Sequence, residues 1–215
     1  PDLYVCTLGA VAIDGMGITR QIVPRIAGTI GSLYATIRSI GAGRSAEIET
    51  VTDFDNRFDD HWERLVKDNK LRFVRDARTL RWRYSEHPLH QYSTLVALKA
   101  GEIVGFVVVS QRYLFDTDAL LICDLCAVEG DRNTETALLD AVQSMAKERG
   151  ASVIAAQALR ASTTALSLGR MGFIRVPQRV NPKPFRMVAT TYTDLGTKAL
   201  EPDRWAFSWG DMDVV

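Results

Sequence analysis

ICDLCAVEGDRNTETALLDAVQSMAKERGA, residues 122–151, is the stretch whose reading decides the fold. Its first residues belong to an apolar run, 119–128, of strand length and composition. A short polar loop with Gly130, Asp131 and Asn133 follows. Leu138, Leu139, Val142 and Met145 then recur at helical spacing through 134–149, and Gly150 stands where a helix stops. Residues 152–158 read as another apolar strand. Strand, helix and strand in this order make a crossover unit with two parallel strands.

Working outward, residues 161–171 read as a short helix ending at Gly172, and 173–176 and 186–192 as two closing strands. Upstream, YSTLVALK (92–99) and residues 102–115 are strands joined at Ala100-Gly101, an antiparallel hairpin. Residues 47–52 are a short strand. Residues 55–69 form an amphipathic helix with Phe58, Trp62 and Leu65 on one face. Residues 75–87 form a second helix, stopped by Pro88. The expectation is an α/β (α+β) domain: a mixed, mostly antiparallel central sheet with helices on both faces.

Residues 1–47 read differently. Residues 3–13 are β-rich and end in the turn signal Asp14-Gly15. Ile22, Ile26, Ile30, Leu33, Ile37 and Ile40 sit at helical spacing within 19–40, with Pro24 in the first turn. Residues 41–45 suit a hinge. Two readings stand: a linker helix or tail of a preceding domain, or an N-terminal extension packed on the main domain. The expected division is 1–47, a domain over 48–193, and a packed tail over 194–215. Because the chain begins at Pro1 rather than Met, it is expected to be an excerpt of a longer protein or a processed one.

Composition narrows the class. The 215 residues carry 26 Lys+Arg against 26 Asp+Glu and are 47% hydrophobic, which excludes disorder, collagen and coiled coil. Zero net charge removes the bulk electrostatic case for nucleic acid. No apolar run reaches the ~20 residues of a membrane span, and no signal-peptide order opens the chain. Three cysteines, an odd number, argue against a secreted disulfide framework. A cytoplasmic protein without membrane or nucleic-acid partners is expected.

The element order resembles the GNAT acyltransferase superfamily over residues 47–193. Three stretches carry it: LVALKAGEIVGFVVV (95–109), the 122–151 segment, and ALSLGRMGF (165–173). A fourth, RDARTLRWRYSEHP (75–88) followed by Tyr92, is similar to a D-x-x-x-L-x-W-R-Y-x-x-H-P signature of bacterial proteins that carry GNAT domains, often two in tandem. WAFSWGDMDVV (205–215) is similar to the end of such chains. The resemblance implies the C-terminal GNAT domain of a tandem protein. It also implies acyl-coenzyme A as cosubstrate, an amine acceptor, an upstream GNAT lobe and a homodimer through the C-terminal strands.

In that family, a Q/R-x-x-G-x-G/A loop carries the coenzyme. Small residues admit the pyrophosphate to the N–H groups of a helix N-terminus. Aligned on the 137–139 helix, the six positions here are Gly130, Asp131, Arg132, Asn133, Thr134 and Glu135. Asn133 and Glu135 stand where small residues are expected, and Glu135 opposes a dianionic pyrophosphate. Arg132 alone adds positive charge. The plainer reading makes Glu135 and Asp131 ordinary helix-start residues, with Asp131 or Asn133 as N-cap. The resemblance places the pantetheine arm on Leu125, Cys126 and Val128, and the pyrophosphate on Gly130, Asp131, Arg132, Asn133 and Thr134.

The family often protonates the leaving thiolate with a Tyr in the short helix. That place falls near Leu168, and the helix has no Tyr. Glu47, Glu49, Asp118 and Asp124 are candidate general bases. Asp124 is preferred, since it sits in an apolar strand just before the loop; the alternative is a carboxylate on a solvated face. Cys123 and Cys126 form a CxxC without further ligands, so buried structural thiols and no metal are expected.

Arg72, Arg75, Arg78, Arg81 and Arg83 interleave with Trp82 and Tyr84. Arg78, Arg81 and Trp82 are the candidate substrate-binding residues, as Arg forks and an aromatic wall for an anionic substrate or the coenzyme's 3′-phosphate. The alternative is a surface helix paired with nearby carboxylates. Trp205, Trp209, Asp211 and Asp213 close the chain in a tail that packs on the domain or plugs the acceptor cleft. Three functions follow: a GNAT-type N-acyltransferase transferring an acyl group to an amine by direct attack; a non-catalytic GNAT-like lobe, favoured by the Asn133/Glu135 loop; and an anion- or nucleotide-sugar-binding module on the arginine stretch.

Overall fold

The computed structural model describes residues 2–8, 46–68, 70–114, 117–128, 131–160, 162–177, 190–192, 194–201 and 204–212. Seven strands form one sheet: β1 (Asp2–Thr7), β2 (Glu47–Val51), β3 (Ser93–Lys99), β4 (Glu102–Leu114), β5 (Thr117–Ala127), β6 (Val153–Ala158) and β7 (Ile174–Arg175). Their order is β2-β3-β4-β5-β6-β1-β7. Among the described residues, β5 and β6 are the one parallel pair, and the other neighbours run antiparallel. The expected mixed, mostly antiparallel sheet is what the chain forms.

Helices cover both faces. On one lie α1 (Asn56–Leu65) and the single turn α2 (Ala77–Leu80), which widens into a π-turn over Arg81–Ser85. Phe58, Leu65, Leu80 and Tyr84 pack there on Val96, Phe106, Val108 and Cys123. On the other lie α3 (Arg132–Glu148) and α4 (Thr163–Arg170). Leu138, Leu139, Val142 and Leu168 pack there on Leu95, Val107, Leu120 and Ile122. Alternate residues of each central strand thus serve opposite cores, which is why these strands read as unbroken apolar runs. Every helix is capped by a short polar side chain: Asp55, Asp76, Asp131 and Ser162. The hairpin turns at Ala100 and Gly101, with φ of 51° and 82°, the positive pair that matches strand twist.

Two expectations change, and the start of the N-terminal β-rich run joins the sheet. The helix expected over 75–87 begins only at Ala77, because Asp76 takes the Thr79 N–H at 2.7 Å and starts it; Arg75 therefore lies outside it. Asp2–Thr7 is an interior strand between β6 and β7, with Asp2 opposite Ala158 and Thr7 opposite Val153. The described part of the expected closing strand, 190–192, is not a strand. The expected helix over 19–40 lies outside the described residues. No helix among the described residues is long and apolar enough to cross a membrane.

Candidate active site

The parallel ladder between β5 and β6 runs from Ala119↔Val153 to Ile122↔Ala156 and stops. Beyond it the strands part: β5 continues to Ala127 in register with β4, and β6 keeps its partner β1. A cleft of about 80 Å³ opens between them, walled by Leu125, Cys126 and Ala127 on one side and Gln157 on the other. The α4 N-terminus (Ser162–Thr164) and Glu135 of α3 close one end, and Trp205–Ser208 the other. The Gln157 side chain is buried, and its Oε1 has no hydrogen-bond partner. A buried carbonyl without a donor is costly. Gln157 thus brings an unpartnered, buried acceptor to the cleft lining.

At the tail end of this cleft lies a buried polar cluster. The Arg75 Nε donates to both oxygens of Asp124, at 3.1 and 2.9 Å. Its Nη1 donates to the Phe73 carbonyl at 2.8 Å, and its Nη2 to Ser208 Oγ at 3.1 Å and Asp211 Oδ1 at 2.5 Å. Tyr84 Oη donates to Asp124 Oδ2 at 3.0 Å, and Ser208 Oγ to Asp124 Oδ1 at 2.9 Å. The Ser208 amide donates to Asp211 Oδ2 at 2.9 Å. A Cβ on Gly210 would lie 2.1 Å from Tyr84 Oη, so only glycine lets the tail approach this closely.

Burial opposes the Arg75 charge, but Asp124 and Asp211 beside it carry the guanidinium well above its usual pKa. Burial raises Asp211, with Asp124 adding to the rise against the pull of Arg75. Burial likewise raises Tyr84 well above the phenol range.

Arg75 and Asp124 also line a second cavity, of about 220 Å³, with Phe73, Trp82, Arg83 and Gly210. The ion pair is thus the partition between two compartments.

The expected site residues land unevenly. Asp124 is 2% exposed and its oxygens are taken by Arg75, Tyr84 and Ser208; it is not on a solvated face. Glu47, Glu49 and Asp118 are exposed and outside the cleft lining. Leu125 and Cys126 wall the cleft, and Val128 is exposed beyond it. Gly130 lies outside the described residues. Asp131 is the α3 N-cap, accepting from the Thr134 amide at 3.1 Å and hydroxyl at 2.7 Å, and it pairs with Lys99 at 2.9 Å. Arg132 and Asn133 are exposed, whereas Thr134 is fully buried against Gly105. Glu135 reaches across to α4, accepting from Thr164 Oγ1 at 3.1 Å and from Ser167 Oγ. Burial raises its pKa against those two hydrogen bonds.

Arg78 is exposed and Arg81 pairs with Asp53 at 3.2 Å, so neither enters a cavity; Trp82 edges the second one, with Arg83 5.8 Å from its ring centre. Leu168, in the place of the leaving-group acid, is fully buried and apolar. Burial pushes the Cys123 thiol up to about 12 and the Cys126 thiol well above its usual range. No cluster suited to a metal ion occurs among the described residues.

Sequence reasoning did not single out Arg75, Ser208 or Gln157 for the site. Arg75 had a signal: Asp76 followed by Thr79 three residues on is an N-cap pattern, which ejects the preceding residue from the helix. Ser208 forms a Ser-x-x-Asp box with Asp211 three residues on, but its partners Arg75 and Asp124 lie 133 and 84 residues away, and the Gln157 carbonyl has no partner.

No protein-family model matches the chain, and no curated protein sequence matches it. Among solved structures it is similar to an aminoglycoside acetyltransferase from an uncultured soil metagenomic sample, determined with sisomicin. That match has 19% identity over 69% of this chain and 95% of the other, with a TM-score of 0.45. A ribosomal-protein-alanine N-acetyltransferase from Brucella melitensis biovar Abortus 2308 is 17% identical over 50% of this chain and 77% of its own, with a TM-score of 0.37. A conserved protein of unknown function from Staphylococcus epidermidis is 14% identical over 81% of this chain and 57% of its own, with a TM-score of 0.45. The mixed, mostly antiparallel sheet with one parallel pair and helices on both faces is the fold class expected from the sequence.

Proposed function

We propose that this chain is a GNAT-type N-acyltransferase domain that takes acyl-coenzyme A as cosubstrate and an amine as acceptor. The observation that carries the reading is the parting of β5 and β6 beside an unpartnered Gln157 carbonyl. A pantetheine arm is a thin chain with two amides. It needs strand-edge partners and buried acceptors, and the end of β5 at Leu125, Cys126 and Ala127 with Gln157 offers both, Val128 lying just beyond. The neutral acceptor nitrogen attacks the thioester carbonyl, the C–N bond forms, the C–S bond breaks, and the proton lost by nitrogen is balanced, through solvent, by the one that the departing sulfur takes up as the coenzyme thiol. Trp82 and Arg83 form the acceptor-side wall in this reading, and Arg78 and Arg81 stay outside it. Asp124 holds Arg75, Tyr84 and the tail in register; with its oxygens engaged, it positions rather than takes a proton.

The test is release of free thiol from acetyl-coenzyme A by the purified chain, across a panel of amines. Thr163→Trp, at the half-buried mouth of the cleft, serves as the block. Amine-dependent thiol release that Thr163→Trp abolishes, while the variant stays folded, is the expected result. Absence of both release and acetyl-coenzyme A binding overturns the proposal.

A second reading is favoured by the carboxylates Asp131 and Glu135 at the α3 N-terminus: a non-catalytic lobe that partners an upstream GNAT domain. Stable association with such a lobe, without thiol release from the pair, supports it.

A further inference from the structure

The start of α3 is where a GNAT-type domain is expected to meet the coenzyme's pyrophosphate, yet the side chains of Asp131, Thr134 and Glu135 there are already engaged. Asp131 takes the Thr134 amide and hydroxyl. Thr134 itself is buried against β4, where a Cβ on Gly105 would lie 2.7 Å from its methyl group. Glu135 turns into the cleft rather than to solvent and ties α3 to Thr164 and Ser167 of α4. Two carboxylates therefore occupy the positive end of the helix.

Three of the cations nearby are in ion pairs: Lys99 with Asp131, Arg72 with Asp68, and Arg75 with Asp124 and Asp211, although the buried Arg72 Nε has no partner. Arg132 is exposed beside them. The cleft further in is different. Its wall at Leu125, Ala127 and Leu168 is apolar and stands with the orphaned Gln157 carbonyl, while charged residues including Arg72, Arg75, Asp124 and Glu135 also line it. The apolar wall with one free acceptor suits a neutral amide-bearing chain.

We infer that the domain recognises its acyl donor through the pantetheine arm alone, and that Glu135 and Asp131 repel the coenzyme's pyrophosphate instead of cradling it. The inference rests on the acyl-thioester reading above and names its donor class: thioesters of pantetheine, with the nucleotide end left unread in solvent. It assigns Glu135 as a specificity-determining residue.

Calorimetric titration of acetyl-pantetheine and acetyl-coenzyme A into the whole chain tests it. Acetyl-pantetheine is expected to bind within about threefold of acetyl-coenzyme A. Acetyl-coenzyme A binding is expected to hold or strengthen from about 0.1 M to about 0.5 M salt, because screening relieves a repulsion. Glu135→Gln keeps a hydrogen-bonding side chain and removes the charge; it should tighten acetyl-coenzyme A about tenfold and leave acetyl-pantetheine unchanged. Asp131→Ser, which keeps an N-cap, should act in the same direction and stands in if Glu135→Gln does not fold.

Acetyl-coenzyme A binding more than about thirtyfold tighter than acetyl-pantetheine, and weakening with salt, overturns the inference while leaving the acyltransferase reading intact. Binding of neither compound overturns both.

Discussion

Arg75 shows how one residue ties distant sequence together. It comes from the segment before α2 and joins Asp124 of β5 to Ser208 and Asp211 of the tail, spans of 49, 133 and 136 residues. Cutting any member leaves charge uncompensated in the interior, which is why such clusters are costly to break and specific in what they join. His61 is the opposite case. It is fully buried beside Phe106 and faces the Ile103 carbonyl, which already accepts from Arg64 at 2.8 Å. Desolvation lowers its pKa from 6.5 to about 4, with the Arg64 charge acting the same way. Its folded pKa lies below the unfolded one, so the stability it contributes is full above 6.5 and is lost as pH falls towards 4. The loss approaches about 3 kcal/mol. Urea unfolding across that window should show this slope in the wild type and a flatter one in His61→Leu; equal slopes would contradict the assignment.

At the scale of elements, the tail is the informative piece. Residue 205 bridges to Leu71, the Trp205 indole donates to the Ala199 carbonyl at 2.9 Å, and Trp209 is 9% exposed in the core beneath α2. Trp209 thus packs in the core, while Trp205–Ser208 lines the cleft beside Gln157. Trp209→Ala should cost about 3 kcal/mol in urea unfolding, and a change under about 1 kcal/mol would show that the tail is not part of the core.

Elements with strong periodicity were legible. Leu138, Leu139 and Val142 placed α3, and the unbroken apolar runs placed β3 to β6. What periodicity could not supply was α2: RDARTLRWRYS carries helix-forming residues throughout, yet Asp76 starts the helix late and Leu80 gives way to a π-turn. Tyr84 there is buried and Trp82 exposed. Gln157 was illegible for another reason. Its meaning lies in a partner it lacks, and a missing hydrogen bond leaves no trace in sequence.

At the scale of the molecule, the fold is a sheet with a core on each face and one place where neighbouring strands let go. Antiparallel pairs on either side hold β5 to β4 and β6 to β1, so the parallel pair can part without unravelling either half. Crossover topology puts helix N-termini and the ends of both strands at that opening, the position where mixed sheets gather ligands. The strand order made this place predictable; its chemistry came from residues far apart in the chain. The measurement closest to the central claim is a crystal structure of the whole chain grown with acetyl-coenzyme A. The account predicts the pantetheine arm lying between Leu125–Ala127 and Gln157, with an arm amide donating to the Gln157 carbonyl. A liganded structure in which the arm lies elsewhere and this cleft stays closed would contradict it.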